Sequence, residues 1–233
     1  MKKIFLLTVS ALLFSLTSFA QFTVGANLTI ANPQYEFEGI SDKNIYGISV
    51  DGGYNLYALM LGGNFAYLSR GSQNFEKALS TTQPGINTDV TVTHSLLQFH
   101  LLGRLQYPNE FVIPYVEGLL GGNFFSTSTE SKSQNSTGNQ SDVLASTTNQ
   151  SDFTYSIGYG AGLMAKVYES EYQGQDFSIW IDLKGRFLKG GKAEYLQSAD
   201  DIFYNSTAQK WEIKATKSET SMNTWHIGVA FKF

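Results

Sequence analysis

The 233-residue sequence contains no cysteine, only four prolines and few charged residues, which make up 15% of the chain. Without cysteine the protein forms neither a disulfide framework nor a thiolate metal site, and a lipid-modified N-terminal cysteine is excluded. The formal net charge of −4 provides no basic surface, so no nucleic-acid partner is predicted. Beyond the N-terminus no stretch approaches the roughly 20 unbroken apolar residues of a spanning helix. Any membrane span must therefore be built from strands.

The N-terminus has the pattern of a secretory signal peptide. Two lysines precede an almost wholly apolar stretch over residues 4–14, and Ser18 and Ala20 place small residues where a signal peptidase reads. The pattern predicts that residues 1–20 are a signal peptide cleaved between Ala20 and Gln21, and that residues 21–233 form one exported domain. A single membrane anchor is the alternative, which the short segment and the missing basic flank disfavour.

Apolar residues alternate with polar or small residues along most of the remaining chain, which is typical of strands with two different environments on their faces. The connections between these segments are alternately long and short, beginning with a long one. Transmembrane barrels show this asymmetry together with an even strand number. In the fifth segment, Pro114 cannot donate a ladder hydrogen bond and predicts a bulge or a late strand start. The eight segments cover residues 22–30, 46–54, 57–67, 97–107, 112–124, 153–167, 177–187 and 225–233.

One face of all eight segments carries no charge, and the opposite face carries every charged residue in them. A charge facing lipid costs about 2–4 kcal/mol at the bilayer midplane, so lipid would enforce such an absence. A secreted soluble barrel resembling the lipocalins also alternates and remains an alternative. Segments long enough to span, and aromatic residues at segment ends, favour the membrane. The predicted fold is all-β, an eight-stranded antiparallel up-and-down transmembrane β-barrel.

The polar connections are predicted to be loops. Residues 126–151 consist mainly of Ser, Thr, Asn and Gln, which bury little, and they predict a solvated loop. Residues 69–90 and 189–222 predict two further long connections, and Lys192 to Leu196 are predicted to extend the seventh strand. Because loops on a rigid scaffold usually carry binding, any surface interaction is expected there.

The chain resembles the small, porin-like, eight-stranded outer-membrane β-barrel families of Gram-negative bacteria. The resemblance rests on Ile113 to Gly122 (IPYVEGLLGG), Gly158 to Leu163 (GYGAGL) and the terminal Phe231-Lys232-Phe233. It implies a location in the outer membrane, with outer-membrane lipid and lipopolysaccharide as surroundings. It also implies that Phe231 and Phe233 belong to a terminal signal read by the barrel-assembly machinery, which becomes an expected partner.

Charged residues of the inner face are the main candidate site. Eight strands enclose a space that side chains just fill, so we expect a structural ion-pair network and no open pore. A narrow gated channel for protons or ions is the alternative. The predicted network comprises Asp51, Arg104, Glu117, Lys166, Asp182, Lys184 and Arg186, and Lys232 belongs to the same face.

The three histidines predict neither a metal site nor catalysis. His94 and His100 are separated by six residues of one strand, or about 20 Å at roughly 3.3 Å per residue. His226 lies on another strand, and none of the three has a serine and a carboxylate in an evident arrangement. We therefore predict no enzyme activity, no metal and no cofactor. The predicted role is structural or surface-interacting through the long loops, and a lipid-modifying outer-membrane enzyme is the alternative from another class.

Overall fold

Eight long strands close into a single antiparallel barrel, in which each strand pairs with its neighbours in the chain and the last strand pairs with the first. The computed structural model describes residues 21–35, 44–78, 87–133, 143–172, 175–195, 202–205, 210–213 and 216–233. The barrel strands are β1 Gln21–Pro33, β2 Ile45–Leu56, β3 Leu59–Ala78, β4 Asn87–Gln106, β5 Val112–Ser133, β6 Val143–Tyr172, β7 Gln175–Gly190 and β12 Met222–Lys232. Four short strands lie between β7 and β12, namely β8 Lys192–Tyr195, β9 Ile202–Asn205, β10 Lys210–Ile213 and β11 Thr216–Glu219. The predicted eight-stranded antiparallel barrel is confirmed.

The first and last barrel strands close the sheet. β1 and β12 pair without a break from Thr23 opposite Lys232 to Pro33 opposite Met222. At the end of this ladder Phe22 and Phe233 exchange two backbone hydrogen bonds of 3.2 and 3.0 Å. Closure satisfies the backbone groups of both edge strands, which hydrocarbon could not do.

The two faces of the barrel have opposite chemistry. Outward side chains are apolar and exposed, as for Leu28 at 65% and Leu120 at 58% of their accessible area. Inward side chains are mostly polar or charged, and those of Asp51, Arg104 and Asp182 are buried. This distribution is inverted relative to a soluble barrel and is that of a transmembrane barrel. None of the described residues forms a helix long and apolar enough to cross a membrane.

The connections alternate in length as predicted. Two residues join β2 to β3, five join β4 to β5 and two join β6 to β7, whereas the other barrel connections are longer. Tyr57, assigned above to the third segment, lies instead in the β2–β3 turn with a φ of 56°. That left-handed backbone reverses the chain at the turn, which an extended residue cannot do.

The predicted loops over residues 69–90 and 126–151 are wrong in large part. β3 continues to Ala78 and pairs with β4 from Asn87, and β5 continues to Ser133 and pairs with β6 from Val143. The prediction failed because Ser and Thr residues bury little, whereas an antiparallel ladder needs only backbone partners. Two strands that leave the barrel side by side supply those backbone partners at each successive residue pair.

Pro114 causes no bulge, contrary to the prediction. The β4–β5 register runs without a shift, and β5 already begins two residues before the proline. The Pro114 carbonyl accepts a hydrogen bond from the backbone N–H of Tyr107 at 2.9 Å. Tyr107 is the last partner on that side, so the missing proline N–H removes only the terminal bond of the ladder.

The ladder between β7 and β12 is continued by β8 and β11. Leu188 pairs with Met222, and Lys192 pairs with Glu219. The chain therefore advances four residues from β7 to β8 while it advances three from β11 to β12 on the opposite side, which is a register shift of one residue. Gly191 occupies this irregularity, where its carbonyl accepts from the backbone N–H of Thr220 at 3.1 Å. The predicted extension after the seventh strand is therefore present as the separate strand β8, while Leu196 lies outside the described residues.

Candidate functional site

Six charged side chains meet in the centre of the barrel. Alternation along β7 turns Asp182, Lys184 and Arg186 inward, and the β4–β5 register places Arg104 directly opposite Glu117. Asp51 enters from β2. All six side chains are buried. Three cations therefore face three carboxylates, and the group is neutral.

The six groups are joined through consecutive ion pairs. Arg104 donates to Glu117 Oε2 at 3.1 and 2.9 Å, and Arg186 donates to the other oxygen of Glu117 at 2.5 Å. Arg186 also donates to Asp51 Oδ1 at 2.8 Å. Lys184 bridges Asp51 and Asp182, with 2.8 Å between its Nζ and Asp182 Oδ2.

Tyr115 joins the two ends of this series. Its hydroxyl donates to Asp182 Oδ1 at 2.5 Å, and the Cζ atom of Arg104 lies 3.9 Å from the centre of its ring. Tyr115 thus connects Asp182, the last member of the series, to Arg104, the first. We call this closed set the charge ring, defined as Arg104, Glu117, Arg186, Asp51, Lys184, Asp182 and Tyr115.

Two asparagines complete the hydrogen bonding of the carboxylate of Asp51. Asn27 donates to Oδ2 at 3.0 Å and Asn64 donates to Oδ1 at 2.9 Å. Buried charges are tolerated only when they are paired and hydrogen-bonded, and each charge in the ring meets that condition. The geometry is that of a plug between the two ends of the barrel.

Lys166, predicted to join the network, lies apart from the charge ring. Its Nζ pairs with Glu169 at 3.0 Å and is 5.5 Å from the ring centre of Trp180. Lys232 also approaches Trp180, at 4.9 Å from the ring centre. Both lysines belong to the end of the barrel that carries the short turns.

Apolar side chains pack on both sides of the charge ring. One cluster, toward the long hairpins, includes Leu68, Leu96 and Leu188. The other, toward the short turns, consists of Ile113, Tyr115, Met164, Trp180 and Ala230. The sequence interpretation described the inward face as polar and missed these layers. The signal was present in the fifth segment, whose two faces are both fairly apolar.

The histidines occupy separate inward positions. His226 contacts Thr29 at 2.9 Å through Nδ1 and Thr224 at 2.8 Å through Nε2. His94 contacts Thr127 at 3.1 Å, whereas both ring nitrogens of His100 are buried without a hydrogen-bond partner. In the part of the chain that the structure describes, no three His, Asp or Glu side chains could hold a metal ion.

Gln21, Phe231 and Phe233, which were predicted to take part in processing or assembly, lie at the short-turn end. Gln21 begins β1, while Ala20 lies outside the described residues. The rings of Phe231 and Phe233 lie 6.1 and 5.4 Å from the ring of Phe177. These three aromatic rings form an apolar patch where β7 begins and β12 ends.

No protein-family model matches the sequence, and no curated protein matches it. Among solved structures, the chain is similar to Ail, the attachment invasion locus protein of Yersinia pestis, which was crystallised with the heparin analogue sucrose octasulfate. The two sequences are 17% identical and the TM-score is 0.40. The match covers 92% of this chain and 97% of Ail. Neisserial surface protein A is 10% identical to this chain with a TM-score of 0.39, and the match covers 91% of this chain and 95% of that protein. The N-terminal barrel domain of Pseudomonas aeruginosa OprF is 14% identical to this chain with a TM-score of 0.33, and the match covers 91% of this chain and 97% of that domain. Proteins of unlike function share architectures at such identities, and these likenesses say nothing about what this chain binds.

Proposed function

We propose that the protein is a small integral outer-membrane protein that presents long hairpins from a barrel with a filled lumen. The observation that carries the proposal is the inverted surface, with apolar side chains exposed outside and charged side chains buried inside. Outer-membrane lipid and lipopolysaccharide would cover the exterior. A water-exposed barrel would leave that apolar exterior uncovered, which speaks against the soluble lipocalin-like alternative.

The hairpins are the proposed interaction surface. β5 and β6 have 22 and 30 residues, whereas a transmembrane strand needs roughly 9–11. Much of this hairpin therefore stands beyond the membrane, on a scaffold held rigid by the charge ring. Such elements commonly carry recognition, and a structural or surface-interaction role follows.

Export and assembly complete the proposal. A signal peptide over residues 1–20 would direct the chain to the periplasm. Phe231 and Phe233 would then present the terminal aromatic strand to the barrel-assembly machinery. No catalytic role is proposed, because His226 and His94 contact only hydroxyl groups of Ser or Thr in the described residues.

The location is tested by fractionation of producing cells followed by electrophoresis with and without heating. We expect the protein in the outer-membrane fraction, with an unheated form that migrates differently from the heated form. A soluble protein whose migration does not change on heating would overturn the proposal.

The filled lumen is tested separately by reconstitution into planar bilayers. Because paired charges and two apolar layers fill the barrel, we expect no channel events above those of protein-free membranes. Regular single-channel steps would favour the gated channel instead. Incubation with lipopolysaccharide and phospholipid tests the enzymatic alternative, for which we expect no turnover of either lipid.

A further inference from the structure

The short-turn end of the barrel opens into a cavity of about 700 Å³. Its lining comes from the ends of seven barrel strands and includes Gln106, Ile113, Asp176, Trp180 and Lys232. Sites for small ligands commonly enclose about 300–1,000 Å³. Ile113 and Trp180 belong to the apolar layer that separates this cavity from the charge ring, so we call it the vestibule and treat it as a distinct site.

Lys232 brings a positive charge to the vestibule. Its side chain is largely buried, with the residue 8% exposed, yet it forms no salt bridge within the described residues. Its ammonium lies 4.9 Å from the centre of the Trp180 ring. Each cation of the charge ring has at least one carboxylate partner, so Lys232 differs from them. A nearly buried ammonium that forms no salt bridge is costly, and an anionic group entering from outside would lower that cost.

Gln106 adds an unused hydrogen-bond acceptor. Its Nε2 donates to Asn55 Oδ1 at 3.0 Å and to the carbonyl of Tyr57 at 3.3 Å. These two bonds hold the amide, and its Oε1 is buried without a partner in a residue that is 7% exposed. An unpaired buried acceptor costs about 1–3 kcal/mol, so a small rotation of this amide that exposes Oε1 to a ligand N–H is favoured.

The acceptor and the ammonium belong to one connected wall. Asn55, which holds Gln106, donates through Nδ2 to Thr23 Oγ1 at 2.6 Å. Thr23 is in turn the register partner of Lys232 in the β1–β12 ladder. A ligand that reaches the ammonium therefore also meets the wall that carries the free acceptor.

The rim of the vestibule has the opposite charge. Glu110 and Asp176 line it and form no salt bridge in the described part of the chain, whereas Glu169 is neutralised by Lys166. A simple anion would have to pass these carboxylates, and a simple cation would meet Lys232. The pattern of a cation at one place and carboxylates at the rim is complementary to a molecule that carries both charges.

We propose that the vestibule binds a zwitterionic ligand of the amino acid or short-peptide class. The ligand carboxylate pairs with Lys232, and the ligand ammonium faces Glu110 and Asp176. A ligand N–H reaches Gln106 Oε1 once the amide turns toward the vestibule. The apolar walls provided by Ile113 and Trp180 pack against its side chains. This site does not depend on the function of the hairpins.

The proposal is tested on the full folded chain in detergent micelles with the dipeptide Ala-Ala. We follow the indole N–H resonance of Trp180, assigned by its loss in Trp180→Phe, during titration. A saturable shift is expected. N-acetyl-Ala-Ala lacks the ammonium and Ala-Ala-amide lacks the carboxylate, so each is expected to bind at least 10-fold more weakly.

Variants assign the binding to the proposed groups. Lys232→Gln is expected to weaken Ala-Ala binding at least 10-fold, whereas Lys217→Gln, on an exposed lysine paired with Glu194 at 3.2 Å in β8, leaves it unchanged. Asp176→Asn alters only the rim and is expected to weaken the binding of Ala-Ala, whose ammonium faces Asp176, while the binding of N-acetyl-Ala-Ala, which has no ammonium, stays unchanged. If Lys232→Gln does not fold, the Asp176→Asn variant still tests the proposal. The absence of a saturable shift, equal binding of the three ligands, or binding to folded Lys232→Gln like that of the parent protein would each overturn the proposal.

Discussion

Tyr115 contacts Asp182 and Arg104 with different parts of one side chain. Its hydroxyl donates to the carboxylate at 2.5 Å, while its ring lies 3.9 Å from the Cζ atom of the guanidinium. The tyrosine thereby closes the charge ring without adding a charge. Removal of the hydroxyl and removal of a charge should therefore have different consequences.

The first prediction concerns that hydroxyl. Tyr115→Phe keeps the aromatic face for Arg104 but leaves one oxygen of Asp182 without its donor. Loss of a hydrogen bond to a buried charged group is expected to lower the free energy of unfolding by about 1.5–3 kcal/mol. Urea titration of the protein in lipid vesicles measures the change. Tyr155→Phe, on an exposed tyrosine, is the matched control and is expected to change little.

The second prediction concerns charge balance. Glu117→Gln leaves the guanidinium groups of Arg104 and Arg186 sharing fewer carboxylates, and is expected to cost about 3–5 kcal/mol. Adding Arg104→Met restores neutrality and should recover part of that loss. A double-mutant cycle from urea unfolding of the four proteins measures the coupling. Additive effects of the two substitutions would contradict the paired arrangement.

The third prediction tests lipid contact of the exterior. Leu120→Arg places a charge on the outward face and is expected to lower the free energy of unfolding in vesicles by about 2–4 kcal/mol. Tyr57→Arg, at an exposed turn, is the control, with an expected cost of about 0–1 kcal/mol near the interface. A soluble barrel would tolerate both substitutions equally, so similar stability of the two variants would argue against a membrane exterior.

The fourth prediction separates assembly from stability at the C-terminus. Deletion of Phe233 removes a ring that contacts Phe177 at the end of the closing strand. If that residue is part of the assembly signal, the variant should accumulate less of the folded form in cell membranes. Its unfolding after refolding in vitro should change much less. Phe153→Ala, on another exposed aromatic of the exterior, provides the comparison, and normal membrane insertion of the deletion variant would count against this role.

Alternation of side chains was enough to predict which residues face inward, but not which of them meet. Asp182, Lys184 and Arg186 follow one another at every second position of β7, so their common face was predictable. Their partners depend on register and closure across the barrel, which local patterns do not contain. Tyr115 lies two positions before Glu117 in β5 and so shares its inward face, yet nothing in the neighbouring sequence indicates that Tyr115 contacts both Asp182 and Arg104.

In the hairpins beyond the barrel, side-chain alternation failed to predict the strands themselves. Residues 126–133 lack apolar alternation because they consist of Ser, Thr, Glu and Lys. They nevertheless form part of β5, since β6 continues alongside and supplies backbone partners. Lys232 was likewise predicted to face inward, but the fact that it forms no salt bridge within the described residues depends on how the barrel packs.

The charge ring also constrains the order in which this barrel can form. Its members come from β2, β4, β5 and β7, so contacts that are distant along the chain must all be present before the charges are neutralised. A partly assembled sheet would bring the three charges of β7 toward hydrocarbon without partners, at a cost of several kcal/mol each. Insertion and closure should thus occur as one concerted step, in which an incorrectly paired sheet is rejected before it enters the bilayer.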